Sequence, residues 1–192
     1  MLEELGEAYD YRHVAISKGE GRQASHLGIN PGGKVPVLKD GDLTLTESAA
    51  ILTYLAEKFP DKELIPAQGT NDRGLFHQWS YFAVCELEQP LWTMAKHRFA
   101  IPEKHRVPAV LQTAQWEFDV ALKLLSQGLG ENNYILGEKF SAADILIGHT
   151  LNWASVFGMR FEQENINAYR KRLNARPALA KAVAVEDDGF AG

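Results

Sequence analysis

The chain reads as an α/β unit followed by an all-helical one. Three observations carry that reading. Residues 35–48 run as two short β-prone segments, a tight turn between them and then a helix start. Pro60, Pro66 and Gly69 gather with polar residues into a break. From residue 71 onward the apolar residues recur at helical spacing.

Taken in order, Met1 to Gly6 reads as the last turn and a half of a helix, closed by Gly6 as its left-handed stop. Tyr9 to Ile16 reads as a strand, with Tyr9, Tyr11 and His13 alternating against Asp10, Arg12 and Val14. Residues 17–29 form a loop with one helical turn over Gln23 to Leu27. Arg22, Gln23 and His26 are either solvated there or close enough to meet a ligand.

The stretch Asn30-Pro31-Gly32-Gly33-Lys34-Val35-Pro36-Val37-Leu38 is turn punctuation followed by a strand. Asp40-Gly41 reads as the hairpin turn, because such turns need positive φ. Leu43 to Thr46 is the return strand. Ser48 reads as the cap of a helix whose inner face carries Ile51, Leu52, Leu55 and Phe59. A helix start at the end of a strand favours an anion. Pro36 within a strand-like run is unusual, since it cannot donate to the ladder. A cis Val35-Pro36 bond would leave the Val35 backbone open to an extended peptide, whereas an edge proline and an ordinary cap need no ligand.

Composition sets bounds. The 192 residues suit one or two domains, with 45% hydrophobic and 23% charged residues. A net charge of −5 argues against nucleic acid or an anionic membrane as partner. No apolar run approaches a membrane span, and residues 1–12 lack the apolar core of a secretory signal. The single cysteine excludes an internal disulfide, and Cys85 reads as a buried, inert thiol. The six histidines show no ligand-like pair, so no metal is expected. A cytoplasmic protein fits these features.

In the helical part, Thr70 or Asn71 caps a helix with Leu75, Trp79, Phe82, Ala83 and Leu87 inward. Pro90 should kink or split it. Trp92, Met94, His97 and Phe99 cluster after that break, as core or as an apolar wall for a substrate. After Pro102 and Pro108, Leu111, Ala114, Phe118, Ala121, Leu122 and Leu125 make a core stripe that stops at Gly128 and Gly130. Ser141 and Asp144 have the spacing of a capping box, with Phe140 and Ile145 as its staple. His149 reads as a core histidine. A helix over 164–175 turns Ile166, Tyr169 and Leu173 inward, a last helix starts at Pro177, and Asp187 to Gly192 reads as a loose tail. The domain boundaries are therefore 1–60, a linker at 61–70, and 71–192.

The run from Asn30 to Leu38, followed by Thr46-Glu47-Ser48-Ala49-Ala50-Ile51-Leu52-Thr53-Tyr54-Leu55, resembles the glutathione-binding half of the cytosolic glutathione transferases, bacterial type. Ser141 to Leu146 is similar to the capped helix of that family's helical domain. The resemblance implies a thioredoxin-like α/β domain and an all-helical carboxyl-terminal domain. It implies glutathione as co-substrate, with no metal. By resemblance Val35, ahead of a cis Pro36, pairs with the cysteinyl part of glutathione. Glu47 and Ser48 hold the γ-glutamyl end, and Lys34 meets the glycyl carboxylate. Trp92 and Phe99 would border a pocket for a small hydrophobic electrophile, and the protein would be a homodimer. Measured against the family, residue 1 falls inside the first helix. The first strand and the loop that carries the catalytic Ser, Tyr or Cys would lie upstream, so the catalytic residue is unknown. That reading expects the natural protein to begin upstream and this chain alone to conjugate poorly. A non-catalytic binding or scaffold relative and a glutathione-dependent disulfide reductase remain open alternatives.

Overall fold

The computed structural model describes residues 1–191, with side chains through Asp187. It divides into two compact units, residues 1–62 with 175–192 and residues 63–174.

The first unit opens with α1 (Leu2–Leu5), closed by Gly6 at φ 72°. A short α2 (Ala24–Leu27) follows two 3-10 turns. Strands β1 (Val37–Asp40) and β2 (Leu43–Thr46) form an antiparallel hairpin, the sheet present among the described residues. The two turn residues are Gly41 and Asp42, not Asp40 and Gly41. Gly41 takes φ 58°, as the first position of such a turn requires. Next comes α3 (Ser48–Lys58), which buries Ile51, Leu55 and Ala56. Asp40 ties the hairpin to α3, accepting from Tyr54 Oη at 2.8 Å and pairing with Lys58. Those two donors hold the Asp40 carboxyl below its usual pKa.

The strand expected over Tyr9 to Ile16 does not form: among the described residues the hairpin is the sheet, and residues 9–16 pair with no strand. Tyr9 and Tyr11 both line a cavity of about 270 Å³ whose wall also includes Val37, Leu38, Ile51 and Leu55. The alternation stops at those two rings: Tyr11 is exposed like Asp10 and Arg12, His13 and Val14 are both half-buried, and a strand is defined by a partner and not by its own periodicity. Tyr9 Oη donates instead to Glu3 Oε1 at 2.8 Å, and burial together with that bond pushes the phenol up to about 12.

In the second unit α4 (Asn71–Phe82) is capped by Thr70, whose side chain accepts the Arg73 N–H at 3.2 Å. A π-helical turn, Ala83–Leu87, leads into α5 (Glu88–Ala95), and a second one, Lys96–Ala100, follows. Pro90 lies buried inside α5, and the break falls one turn earlier, at the π turn. A proline frees the carbonyl four residues back, which here is Glu86 within that turn. Ala83 and Leu87, four apart, are buried, and Cys85 on the opposite face between them is exposed rather than buried.

The long α6 (Val110–Leu129) buries Ala114, Phe118, Ala121, Leu122, Leu125 and Leu129. Gly128 lies within it because a Cβ there would sit 2.1 Å from the Trp79 ring. Then α7 (Ala142–Val156) is buried nearly all round. Its exposed edge carries His149 and Val156, so His149 is a surface residue and not a core one. The capping box forms as expected. Asp144 accepts from Ser141 N–H and Ile135 N–H, both at 2.8 Å, from Ser141 Oγ at 2.9 Å and from Tyr169 Oη at 2.6 Å. Burial raises its pKa, and the four hydrogen bonds oppose that. Ile166, Tyr169 and Leu173 of α8 (Glu164–Asn174) point inward, as the spacing predicts.

The last helix, α9 (Pro177–Ala191), clusters with the first unit rather than with the helical one. Arg176, just ahead of it, pairs with Glu4 through Nε at 2.6 Å and Nη2 at 2.7 Å. The expected tail is helix through Ala191, and Gly192 lies outside the described residues.

Candidate functional site

The hairpin register assembles the site. Val37 pairs with Thr46 at the open end of the hairpin. The segment entering β1 is Lys34-Val35-Pro36, and the segment leaving β2 is Glu47-Ser48. Both therefore meet the same end of one strand pair, whose backbones run about 5 Å apart. Two segments distant in sequence become neighbours through a four-residue ladder.

Their backbones are unusual on both sides. The Val35-Pro36 bond is cis, and Val35 is 50% exposed. Glu47 holds φ 68°, a left-handed conformation that a non-glycine residue seldom adopts. Such a residue costs free energy that the surrounding structure must hold in place, and such residues concentrate at binding sites. Ser48 is not the cap. Glu47 occupies that position without a side-chain cap bond, and Ser48 is the first helical residue. The first-turn N–H groups of α3, which follows directly on the open end of the hairpin, have no intrahelical partner, as at any helix start. Unpaired N–H groups and the helix dipole make that end attractive to a carboxylate. Lys34 and Glu47 are exposed, and Ser48 is half-buried.

The loop ahead of Val35 is braced from beneath. Asn30 is 8% exposed and its Oδ1 accepts the Gly32 N–H at 2.9 Å, the turn that Asn-Pro-Gly favours. Its Nδ2 donates to the Lys34 carbonyl at 2.8 Å. His26, also 8% exposed, reaches the same carbonyl through Nε2 at 3.0 Å. His26 is thus neither solvated nor open to a ligand. The loop over residues 19–23 presses directly on this one. A Cβ at Gly21 would come within 2.5 Å of the Gly33 oxygen, so only glycine permits the approach. Periodicity carried no sign of the His26 brace. The Asn30 turn was legible in its dipeptide.

Trp92 and Phe99 belong to the second unit. They join through two aromatic residues that the spacing did not single out, Trp153 and Phe157. Trp92 and Trp153 lie 6.3 Å apart, Trp153 and Phe157 5.5 Å, and Phe157 and Phe99 6.3 Å. Arg98 stands 5.5 Å over the Phe157 ring. Phe99 is 61% exposed. Of the other expected members, Met94 is fully buried core, and His97 Nδ1 accepts the Val107 N–H at 3.0 Å. Trp153 and Phe157 stand four apart at the end of α7, a spacing that marks them as neighbours. Among the described residues no cluster of His, Cys, Asp or Glu could hold a metal, and no helix is long and apolar enough to cross a membrane.

Both parts of the chain are similar to known proteins. Residues 1–57 match the model of the glutathione S-transferase amino-terminal domain, and residues 89–177 match that of its carboxyl-terminal domain. Glutathione S-transferase hmp2 of Hypomyces subiculosus is 30% identical over 188 residues, covering 92% of this chain and 87% of that protein. GstA of Escherichia coli O157:H7 is 29% identical over 164 residues, covering 84% and 78%. Among solved structures, a ternary complex of BphK, a bacterial transferase of this kind, has TM-score 0.86 at 27% identity, covering 97% of this chain and 91% of that one. A sphingomonad glutathione S-transferase complexed with glutathione has TM-score 0.84 at 28% identity, covering 97% and 90%. With both family domains matched in order, and with the hairpin, cis proline and helix start at the positions that the resemblance requires, the chain belongs to the glutathione S-transferase family.

Proposed function

We propose that the chain binds glutathione along Val35-Pro36, with the γ-glutamyl carboxylate at the amino end of α3. The observation that carries this is the register Val37↔Thr46, which brings the half-exposed Val35 near the Glu47-Ser48 helix start. Glutathione is an extended anionic peptide. The Val35 N–H and C=O suit its cysteinyl amide groups, and the first-turn N–H groups of α3 with the Ser48 hydroxyl suit its γ-glutamyl carboxylate. Lys34 is the cation nearest in sequence for the glycyl carboxylate.

The reaction is attack of the glutathione thiolate on an electrophilic carbon. A carbon–sulfur bond forms, and the leaving group departs with its electron pair. The thiol must first lose its proton, which a donor or positive field at the sulfur favours. The aromatic run Trp92, Trp153, Phe157 and Phe99 offers the apolar surface that a small hydrophobic electrophile prefers. A cytoplasmic homodimer is part of this reading. The names of the relatives and the glutathione in the sphingomonad structure support its glutathione chemistry.

Calorimetric titration of the 192-residue chain with reduced glutathione tests the proposal. Saturable heat with one site per chain is expected. A folded chain that gives no heat with glutathione at millimolar concentration sinks it.

A further inference from the structure

The proposed reading needs the Val35 N–H to face a ligand. What aims it is the oxygen on the other side of the same peptide bond. The Lys34 carbonyl and the Val35 N–H belong to one planar unit, and in a trans peptide they point in opposite directions. The cis bond among residues 34–36 is the next one, Val35-Pro36. Fixing the Lys34 oxygen inward therefore fixes the Val35 N–H outward.

Two buried side chains fix that oxygen. Asn30 Nδ2 donates at 2.8 Å and His26 Nε2 at 3.0 Å. A carbonyl only accepts, so the imidazole carries its proton on Nε2. His26 also holds the near end of the same loop. Its backbone carbonyl accepts the Asn30 N–H at 2.8 Å while its ring reaches Lys34. One residue of α2 thereby spans both ends of the loop over 30–34. Asn30 alone could swing with that loop, since it is part of it. His26 stands outside it and supplies the fixed reference.

We infer that His26 is a positioning residue for glutathione, orienting the Lys34–Val35 peptide so that the Val35 N–H is presented to the cysteinyl carbonyl. This rests on the glutathione reading. His26→Phe keeps a ring of similar size and removes the donor. His26→Gln puts a side-chain N–H close to the place of Nε2. The test titrates wild type and both variants with reduced glutathione and records amide spectra of the ligand-free proteins. His26→Phe is expected to weaken binding roughly fivefold, the worth of one hydrogen bond, and to move the Val35 amide resonance while those of β2 stay in place. His26→Gln is expected to return affinity to within about twofold of wild type. Equal weakening by both variants would make the effect one of packing and overturn the inference. An unmoved Val35 resonance in folded His26→Phe would overturn it whatever glutathione does. Wild-type binding unchanged by His26→Phe sinks this inference alone. No binding by wild type sinks the glutathione reading beneath it.

Discussion

Replacing Asp144 with alanine is expected to lower the unfolding free energy by about 3 kcal/mol or more, enough to take much of the margin of an ordinary domain. Four donors converge on this carboxylate, and Ser141, Ile135 and Tyr169 are all buried. Removing it leaves two backbone N–H groups and a tyrosine hydroxyl in the interior without an acceptor. Each such orphan costs roughly 1–3 kcal/mol. The sum is reduced because the hydroxyls can turn to other partners and because the variant no longer buries a carboxyl whose pKa burial raises. Asp144→Asn would not restore the site, since its amide group would point hydrogens at donors. Urea unfolding of wild type and Asp144→Ala measures the difference. A shift under about 1 kcal/mol would show that the capping box and the Tyr169 bond contribute little.

Ser48→Ala is expected to do the opposite, weakening glutathione about tenfold or more while leaving stability unchanged, because a hydrogen bond to a charged group is worth about 1.5–3 kcal/mol. Ser48 is the first helical residue and not the cap, and alanine is the best helix former at such a position. The loss would therefore appear in the binding isotherm and not in the melting curve. A matched fall in both would mean that Ser48 supports the fold of the helix start rather than a ligand.

The parts of the fold governed by local rules were readable. Leu43 to Thr46 is the strand as predicted, Thr70 caps α4, and Ser141 with Asp144 closes the box, while the hairpin turn and the α3 cap each fall one residue from the reading, at Gly41-Asp42 and Glu47. Turn chemistry and cap chemistry act within a few residues, so a sequence displays them. The misread features depend on distant partners. Residues 9–16 alternate in sequence but lack the neighbour that makes a strand. Cys85 lies opposite the buried Ala83 and Leu87, and His149 lies on the narrow exposed edge of α7, so both side chains face outward. The last helix packs with the first unit through an ion pair spanning 172 positions, which no periodicity announces. The same division holds at the site. The Val35-Pro36 and Glu47-Ser48 segments were marked by their residues. The His26 hydrogen bond and the aromatic partners Trp153 and Phe157 come from tertiary packing.

The central claim is that glutathione lies between the Val35 backbone and the first turn of α3. The most direct measurement is an amide-resolved titration of the isotope-labelled chain with reduced glutathione. The account predicts that the amides of Val35, Ser48, Ala49 and Ala50 move most and saturate together. Saturable shifts that cluster elsewhere, with Val35 and the start of α3 unmoved, would contradict it.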